Sequence, residues 1–271
     1  MMDKWRLIVT PAERGAFNMA VDEVLLAETV AGSSLPILRL YDWSPACISL
    51  GYAQKAGDID LDRLKSNGWE MVRRITGGRA ILHVDELTYS VLAPLTEPRV
   101  AGTVLESYQR LAGALMKAIR DLEIPVEMVE EIDRQHFTNG PVCFETPSAY
   151  ELTVNGKKLV GSAQARRKGG FLQHGAFPLF GDLRRITSVL EGLEGKELLE
   201  AGEKVLQRAT TAEMVTGKKI EWQVAANSFI KAFEDVLEIE FVESGLTNEE
   251  LDQIMESIVT KYDAWRWTGR F

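Results

Sequence analysis

The chain has 271 residues, of which 45% are hydrophobic and 26% charged, and its formal net charge is −9. This length and composition are typical of a globular protein with one large domain, or with a main domain and a smaller appendage. The negative charge gives no electrostatic support to nucleic-acid binding. Three histidines and no CxxC pair argue against a metal site. The sequence shows no secretory signal and no run of roughly 20 apolar residues, and its two cysteines fit a reducing cytoplasm.

The first third of the chain predicts short strands around one helix. A strand at Trp5–Val9 precedes a helix at about Ala16–Thr29, for which Asn18 is a candidate cap. Asp60 is a candidate cap for a short helix that ends near Asn67-Gly68. Further strands are predicted at Ile37–Tyr41, Cys47–Leu50, Trp69–Arg74, Ala80–His83 and Thr88–Leu92.

The middle of the chain predicts a long helix, a loop and a hairpin. Apolar residues recur every three or four positions over Thr103–Leu122, which indicates an amphipathic helix. The polar stretch Glu130–Thr146 is predicted to be a long loop that carries Cys143, and long loops are often functional. Asn155-Gly156 is the two-residue turn that hairpins prefer. The strands around it are predicted at about 150–154, 157–165 and 171–179.

After about Gly181 the composition shifts toward glutamate, lysine and leucine, and helical spacing returns at Val224–Leu237 and Asn248–Tyr262. We therefore predict a main domain over residues 1–220, with its core at about 32–220, and a helical C-terminal extension over residues 221–271. Strands, hairpins and segregated helices together indicate an α+β fold with a mixed, largely antiparallel sheet. Strict β–α–β alternation is missing, which argues against a Rossmann fold.

The segment Arg73–Ala80 is a basic turn around Gly77 and Gly78. The glycines allow positive φ angles and leave backbone N–H groups free to point at a ligand, while the arginines can hold a carboxylate or phosphate. The alternative is an ordinary tight turn with solvated arginines. The pattern is not that of a P-loop.

The two cysteines have different surroundings. Cys47 lies in an apolar strand and is predicted to be structural. Cys143 lies in the predicted loop, which favours a nucleophile, although a free cysteine is more often a small buried hydrophobe.

Lys158 follows the hairpin turn. If Val160 faces the core, the alternation of a strand turns Lys158 inward as well, where a lysine needs a partner. The alternative is that Lys157 and Lys158 both lie at an exposed strand end, and the residues alone favour that exposed position. The small residues Gly161 and Ala163 leave room for a ligand.

The cluster Arg166–Lys168 is predicted to be a solvated turn. Its functional alternative is a docking patch for an acidic partner on an otherwise acidic protein.

Six segments of the chain form an ordered set of motifs: Phe17–Glu23, Gly51–Gln54, Arg73–His83, Cys143–Phe144, Ser148–Leu152 and Gly156–Gln164. In this order and spacing they resemble the lipoate–protein ligase A superfamily in its cysteine-dependent octanoyltransferase (LipM-type) branch. The resemblance extends from about Phe17 to Phe180 and more weakly into the C-terminal tail. ATP-using ligases of the superfamily typically have Gly-Arg-x-Gln where this chain has Gly51-Tyr52-Ala53-Gln54, and they generally lack Cys143-Phe144.

The resemblance implies the fold of a biotin/lipoate protein ligase catalytic domain. It implies that Cys143 carries the acyl group and that Lys158 is the active-site lysine. The acyl chain is expected to be bound by Arg74, Thr76, Gly77, Gly78, Arg79, Ala80, His83, Gly161, Ser162 and Ala163.

The implied reaction is octanoyl transfer in lipoate biosynthesis, through an acyl-cysteine and without a cofactor. The donor is octanoyl-acyl carrier protein, and the acceptor is a lysine of a lipoyl domain, on glycine cleavage H protein or on the E2 subunit of a 2-oxoacid dehydrogenase. Both partners tend to be acidic, so the basic clusters at residues 73–79 and 166–168 are the expected contact surfaces. A monomer is expected. The alternatives are an ATP-dependent lipoate ligase, an amidotransferase that moves octanoyl between lipoyl domains, and a non-catalytic lipoyl-domain binder.

Overall fold

The computed structural model describes residues 2–129 and 151–271, so Cys143 and its predicted loop lie outside the described residues. The strands are β1 (Asp3–Glu13), β2 (Ile37–Trp43), β3 (Cys47–Leu50), β4 (Glu70–Arg73), β5 (Ile81–His83), β6 (Glu86–Pro94), β7 (Glu127–Val129), β8 (Glu151–Val154), β9 (Lys157–Arg167), β10 (Gly170–Pro178) and β11 (Ile239–Glu243). The helices are α1 (Gly15–Ala31), α2 (Leu61–Ser66), α3 (Val104–Asp121), α4 (Gly195–Arg208), α5 (Ala212–Thr216), α6 (Trp222–Leu237), α7 (Asn248–Ser257) and α8 (Trp265–Thr268).

Across the described ranges the strands form one large sheet, in the order β11-β1-β2-β6-β10-β9-β8-β7, and one small sheet, in the order β4-β3-β5. In the large sheet β1 runs parallel to β2 and to β11, and the other neighbours are antiparallel. The prediction of an α+β fold with a mixed, largely antiparallel sheet is confirmed. No helix within these ranges is long and apolar enough to cross a membrane.

Helices cover both faces of the large sheet. α3 and α6 pack on one face, where Phe177 and Phe229 stack with ring centroids 5.7 Å apart. α1 covers the other face, where Leu25 and Tyr41 are fully buried. Burial of each such large side chain contributes about 1.5–3 kcal/mol, so these two layers fix the sheet on which the site is built.

Local signals explain the best-predicted elements. Thr103 begins α3 with a capping box, in which its hydroxyl accepts from the Glu106 amide and the Glu106 carboxylate accepts from the Thr103 amide. Asn155 and Gly156 have φ angles of 51° and 74°, as the tight turn between β8 and β9 requires. Asp60 caps α2 through the Arg63 amide, as predicted.

Asn18 is not the cap that the sequence indicated. Helix α1 begins at Gly15, and Asn18 is buried within it. Its side-chain amide donates to the carbonyls of Glu13 and Asp42, so it ties the helix to the ends of β1 and β2. A polar side chain inside a helix can thus hydrogen-bond to backbone groups at neighbouring strand ends rather than cap its own helix.

Residues 221–271 contain more than the helices that the sequence predicts. Strand β11 adds to the edge of the large sheet beside β1, with Asp3 opposite Ile239. Glu240 and Glu243 make Ile239–Glu243 too polar to be recognised as a strand from the sequence, which concealed this edge strand. The division of the chain near residue 220 stays a prediction.

Candidate active site

The Arg73–Ala80 turn connects the two outer strands of the small sheet and is held by its own arginine. Arg74 donates from its guanidinium to the carbonyls of Ser49, Gly77 and Arg79. Gly78 has a φ angle of 95°, and a Cβ at Gly51 would overlap its carbonyl group. Glycines are therefore required at both positions for this close approach.

Arg73 does not contribute to the expected contact surface for acidic partners. Its side chain is fully buried. The guanidinium donates to the carbonyls of Gly51 and Gln54 at 2.7 Å and to those of Thr268 and Arg270 at 2.8 Å. The expectation that Arg73 faces a partner is wrong, because the C-terminal segment covers it.

An inner pocket lies beneath the turn. The aromatic residues Tyr41 and Trp43 line this pocket. Gly175 has no space for a side chain, since a Cβ there would lie 2.6 Å from the Tyr89 ring and 2.8 Å from the Ser162 hydroxyl. The expected site residues that line this pocket are Arg74, Gly78, His83, Gly161, Ser162 and Ala163.

His83 is held in the wall of the inner pocket from three sides. Its Nε2 lies 2.7 Å from the Ser49 hydroxyl, and its Nδ1 lies 2.7 Å from a carboxylate oxygen of Glu86. The Trp43 ring stacks on the imidazole with centroids 4.0 Å apart. This arrangement fixes the position of the ring, as a rigid pocket wall requires.

His174 and Asp22 form a second buried pair at this pocket, which the sequence reasoning did not identify. His174 Nε2 lies 2.7 Å from the Thr76 hydroxyl, and Nδ1 lies 3.4 Å from Asp22 Oδ2. Burial lowers the pKa of His174, which favours the neutral ring. Thr76 is thereby fastened to the sheet rather than placed in the lining of the pocket.

Asp22 is fully buried and ion-paired with Arg39 at 2.9 Å. Burial raises the pKa of Asp22, but hydrogen bonding to His174 and the charge of Arg39 outweigh it and lower the pKa overall. The signal in the sequence was an acidic residue on an otherwise apolar helix face, where it needs a partner.

Lys158 is buried, with only 5% of its surface exposed, and its Nζ lies 2.6 Å from Glu151 Oε1. The expectation of an exposed strand end, which the residues alone favoured, is wrong. The reason is distant in sequence: the Thr210 amide donates to the Lys158 carbonyl, so the segment before α5 covers the strand. Glu151 then supplies the partner that a buried lysine requires.

An outer cleft of ≈ 620 Å³ opens beside the inner pocket. Gly78 and Ser162 belong to both linings, so the two spaces adjoin at the turn. The outer cleft brings together five of the expected residues: Gly77, Gly78, Arg79, Lys158 and Ser162.

Two of the expected residues that the structure describes lie outside both linings. Thr76 is buried behind the inner pocket, and Ala80 is fully buried in an apolar cluster with Ile48 and Leu50. Cys143 is outside the described residues. Cys47, the predicted structural cysteine, is fully buried, and burial raises the pKa of its thiol, which makes it unreactive.

The basic cluster at residues 166–168 is divided between two roles. Arg166 donates to the carbonyl of Thr103 and the hydroxyl of Ser107 at 2.9 Å, and so fastens β9 to the start of α3. Arg167 and Lys168 are exposed. Only these two can meet a partner, as the docking alternative requires.

The arrangement combines an inner space with an outer cleft that holds a buried ammonium–carboxylate pair. Small residues such as Gly161 leave space for a slender apolar chain, and the glycine turn offers backbone N–H donors. Among residues 2–129 and 151–271, no cluster of histidine, cysteine, aspartate or glutamate could hold a metal ion.

Comparisons with known proteins agree with this geometry. The relatives include octanoyltransferase LipM from Moorella thermoacetica, 40% identical over 99% of this chain and 98% of that protein, and octanoyltransferase LipM from Brevibacillus brevis, 39% identical over 99% of this chain and 100% of that protein. A bipartite lipoate protein ligase from Thermoplasma acidophilum has a TM-score of 0.82 and 25% identity, and covers 100% of this chain and 98% of that one. Lipoate-protein ligase A bound with ATP has a TM-score of 0.79 and 25% identity over the whole of both chains. The lipoyl protein ligase A/B catalytic domain matches residues 14–234, and this chain belongs to that family.

Proposed function

We propose that this protein, an octanoyltransferase of lipoate biosynthesis by its full-length relatives, takes octanoyl from acyl carrier protein and transfers it to a lysine of a lipoyl domain. The main structural support for the proposal is the buried Lys158–Glu151 ion pair. Lys158 lines the same cleft as the Gly77-Gly78 turn. A buried ammonium next to a cleft is a device for stabilising an anion in that cleft.

In the first step the thiolate of Cys143 attacks the carbonyl carbon of the octanoyl thioester. A new carbon–sulfur bond forms, the bond to the carrier's sulfur breaks, and the carrier leaves as a thiolate that takes up a proton. One thioester replaces another, so the step is close to isoenergetic and requires no ATP.

In the second step the neutral ε-amine of the acceptor lysine attacks the acyl-cysteine. The carbon–nitrogen bond of an amide forms, the carbon–sulfur bond breaks, and the proton lost by the amine restores the thiol. An amide is more stable than a thioester, so this step is downhill and makes the transfer directional.

Lys158 supplies the positive charge for this chemistry. An ordinary cysteine has a pKa of about 8.5 and is only a few per cent thiolate at pH 7. A protonated Lys158 beside Cys143 favours the thiolate, and Glu151 holds the ammonium group in position through their 2.6 Å contact. Backbone N–H groups of residues 77–79 or of Gly161 are the donors proposed for the oxyanion.

The acyl chain is proposed to occupy the inner pocket. Gly161–Ala163 and His83 line it, and Trp43 covers His83. The methylene chain thus meets aromatic and small side chains. The one arginine of the lining, Arg74, donates its guanidinium to the carbonyls of Ser49, Gly77 and Arg79.

The proposal also covers the domain bounds, the oligomeric state, the location and the acceptor. The catalytic domain comprises residues 1–220 and the extension residues 221–271. The protein acts as a monomer in the cytoplasm, where its two cysteines stay reduced. The acceptor is glycine cleavage H protein or the E2 subunit of a 2-oxoacid dehydrogenase.

The test is a transfer assay that follows the intact mass of a purified lipoyl domain. Three donors are compared: octanoyl-acyl carrier protein without ATP, octanoate with ATP, and an octanoylated lipoyl domain without ATP. The proposal expects octanoylation with the first donor. Modification only with octanoate and ATP would identify a ligase, like the ATP-bound structural relative. Modification only with the octanoylated domain would identify an amidotransferase.

A further inference from the structure

Tyr52 stands at the rim of the outer cleft between two arginines from distant parts of the chain. The guanidinium carbon of Arg167 lies 4.1 Å from the centroid of the Tyr52 ring, and that of Arg270 lies 4.0 Å from it. Arg167 ends β9, whereas Arg270 belongs to the C-terminal segment. The fold therefore gathers two cations around one aromatic ring at the entrance to the site.

These two cations have no anionic partner within residues 2–129 and 151–271, where no carboxylate forms an ion pair with either Arg167 or Arg270. Arg270 donates from Nη2 to the Tyr52 carbonyl at 3.2 Å, while its buried Nε has no hydrogen-bond partner. The nearby Lys261 does have a carboxylate partner, Glu23, at 2.6 Å. Two neighbouring like charges repel each other, and a bound anion removes that repulsion.

Contacts with Arg73 and Trp267 hold Arg270 in position. Arg73 donates to the carbonyls of Thr268 and Arg270 at 2.8 Å, and the Trp267 indole donates to the Arg73 carbonyl at 2.9 Å. Trp267 also supports the Arg270 guanidinium, whose carbon lies 3.8 Å from its ring. The rim is therefore held in place before any ligand arrives, which lowers the entropic cost of binding.

Hydrogen bonds and charge from Arg270 and Arg167 lower the pKa of the Tyr52 hydroxyl. A more acidic phenol is a stronger hydrogen-bond donor to an anion. The rim thus presents two guanidinium forks and one hydroxyl, which is a donor set suited to the oxygens of a phosphate.

We propose that Arg167, Tyr52 and Arg270 bind the phosphodiester in the linker that attaches the acyl thioester to its carrier. This inference rests on the proposed function, because it assumes a carrier-borne thioester donor. Arg167 and Lys158 line the same cleft and lie near opposite ends of β9. The cation at the rim and the buried ammonium are therefore separated along one cleft, as the phosphate and the thioester are separated along the linker.

The test uses two small donors that differ by one phosphate: the octanoyl thioester of pantetheine and that of 4′-phosphopantetheine. The readout is kcat/KM for acylation of the enzyme, and the quantity of interest is the preference for the phosphorylated donor. The wild-type protein is expected to prefer that donor by about tenfold or more. Arg167→Gln is expected to reduce the preference about tenfold through KM.

Lys168→Gln is the matched control, because it removes one positive charge from the same exposed turn without touching Tyr52. It is expected to keep the preference. Arg270→Gln is the second variant, and its fold is checked by thermal unfolding because Arg270 also packs on Trp267.

Three results would overturn the assignment. The first is equal use of the two donors by the wild-type protein, and the second is a preference that survives in both arginine variants. The third is a loss in Arg167→Gln that appears only with octanoyl-acyl carrier protein, which would show that the arginines contact carboxylates of the carrier. If the wild-type protein is acylated neither by these two donors nor by octanoyl-acyl carrier protein, the proposed function fails. Calorimetric binding of 4′-phosphopantetheine against pantetheine then tests the phosphate site by itself.

Discussion

The inner pocket and the outer cleft adjoin at Gly78 and Ser162, but the charged groups around the inner pocket and those at the rim of the outer cleft differ in their partners. Around the inner pocket each charged or imidazole group pairs with another part of the protein, as Asp22 does with Arg39 and His83 with Glu86. At the rim of the outer cleft, Arg167 meets an aromatic ring instead of a carboxylate. The polar groups around the inner pocket thus stabilise its shape, whereas the rim of the outer cleft, unlike the buried Lys158–Glu151 pair deeper in it, leaves an anionic partner for a ligand to supply.

The largest expected effect is on the stability of the inner pocket. Arg39→Leu leaves the carboxylate of Asp22 buried without its cation, so the free energy of unfolding is expected to fall by about 3–5 kcal/mol. The control, Arg14→Leu, removes a half-exposed arginine paired with Glu70 and is expected to cost at most about 1 kcal/mol. Chemical denaturation measures both, and equal losses would contradict the contrast between buried and exposed pairs.

The second effect concerns the buried cation of the outer cleft. In Lys158→Met the carboxylate of Glu151 stays without its ammonium, so the pKa of the Cys143 thiol is expected to rise. Alkylation of Cys143 at pH 7 is then expected to slow by about tenfold for each pKa unit. The rate is measured by mass spectrometry of the Cys143 peptide. The matched control is Lys157→Met at the neighbouring, half-buried position, and an unchanged rate in Lys158→Met would refute the role of Lys158.

A third effect tests the junction of the two spaces. Gly51→Ala is expected to push the Gly78 carbonyl aside, reducing stability by about 1–3 kcal/mol and also reducing octanoyl transfer. Gly57→Ala is the control, since a Cβ there meets no atom within 4 Å. If Gly51→Ala transfers octanoyl at the wild-type rate, the turn does not shape the site.

The smallest effect is a pH dependence of stability from the inner pocket. Because burial lowers the pKa of His174 in the folded protein, the unfolded chain binds more protons once the pH falls below about 6.5. The free energy of unfolding should therefore decrease from pH 7.5 to pH 5.5. His174→Gln cannot be protonated and is expected to lose less over the same interval. Equal losses would show that other groups cause the change.

The sequence predicted well the parts of the fold that depend on neighbouring residues. The capping box of α3 and the Asn155-Gly156 turn act over a few positions, so the helix and the hairpin were predicted within a few residues. The family resemblance then predicted which residues form the site. Five of them meet in one cleft, although their roles in catalysis remain predictions.

What the sequence did not predict depends on contacts between distant segments. Lys158 is buried because the segment before α5 covers it, and Arg73 is buried because residues 268–270 cover it. The pairing of His174 with Asp22 joins residues 152 positions apart. No periodicity or turn signal carries such information, because these contacts arise only when the sheet is assembled.

The central claim is that Cys143 carries the acyl group without ATP. The most direct measurement is the intact mass of the enzyme after brief mixing with octanoyl-acyl carrier protein, followed by peptide mapping. We predict one octanoyl adduct on Cys143 that is absent from Cys143→Ser, which still contains the buried Cys47. No adduct in the wild-type protein, or an adduct that persists in Cys143→Ser, would contradict the account.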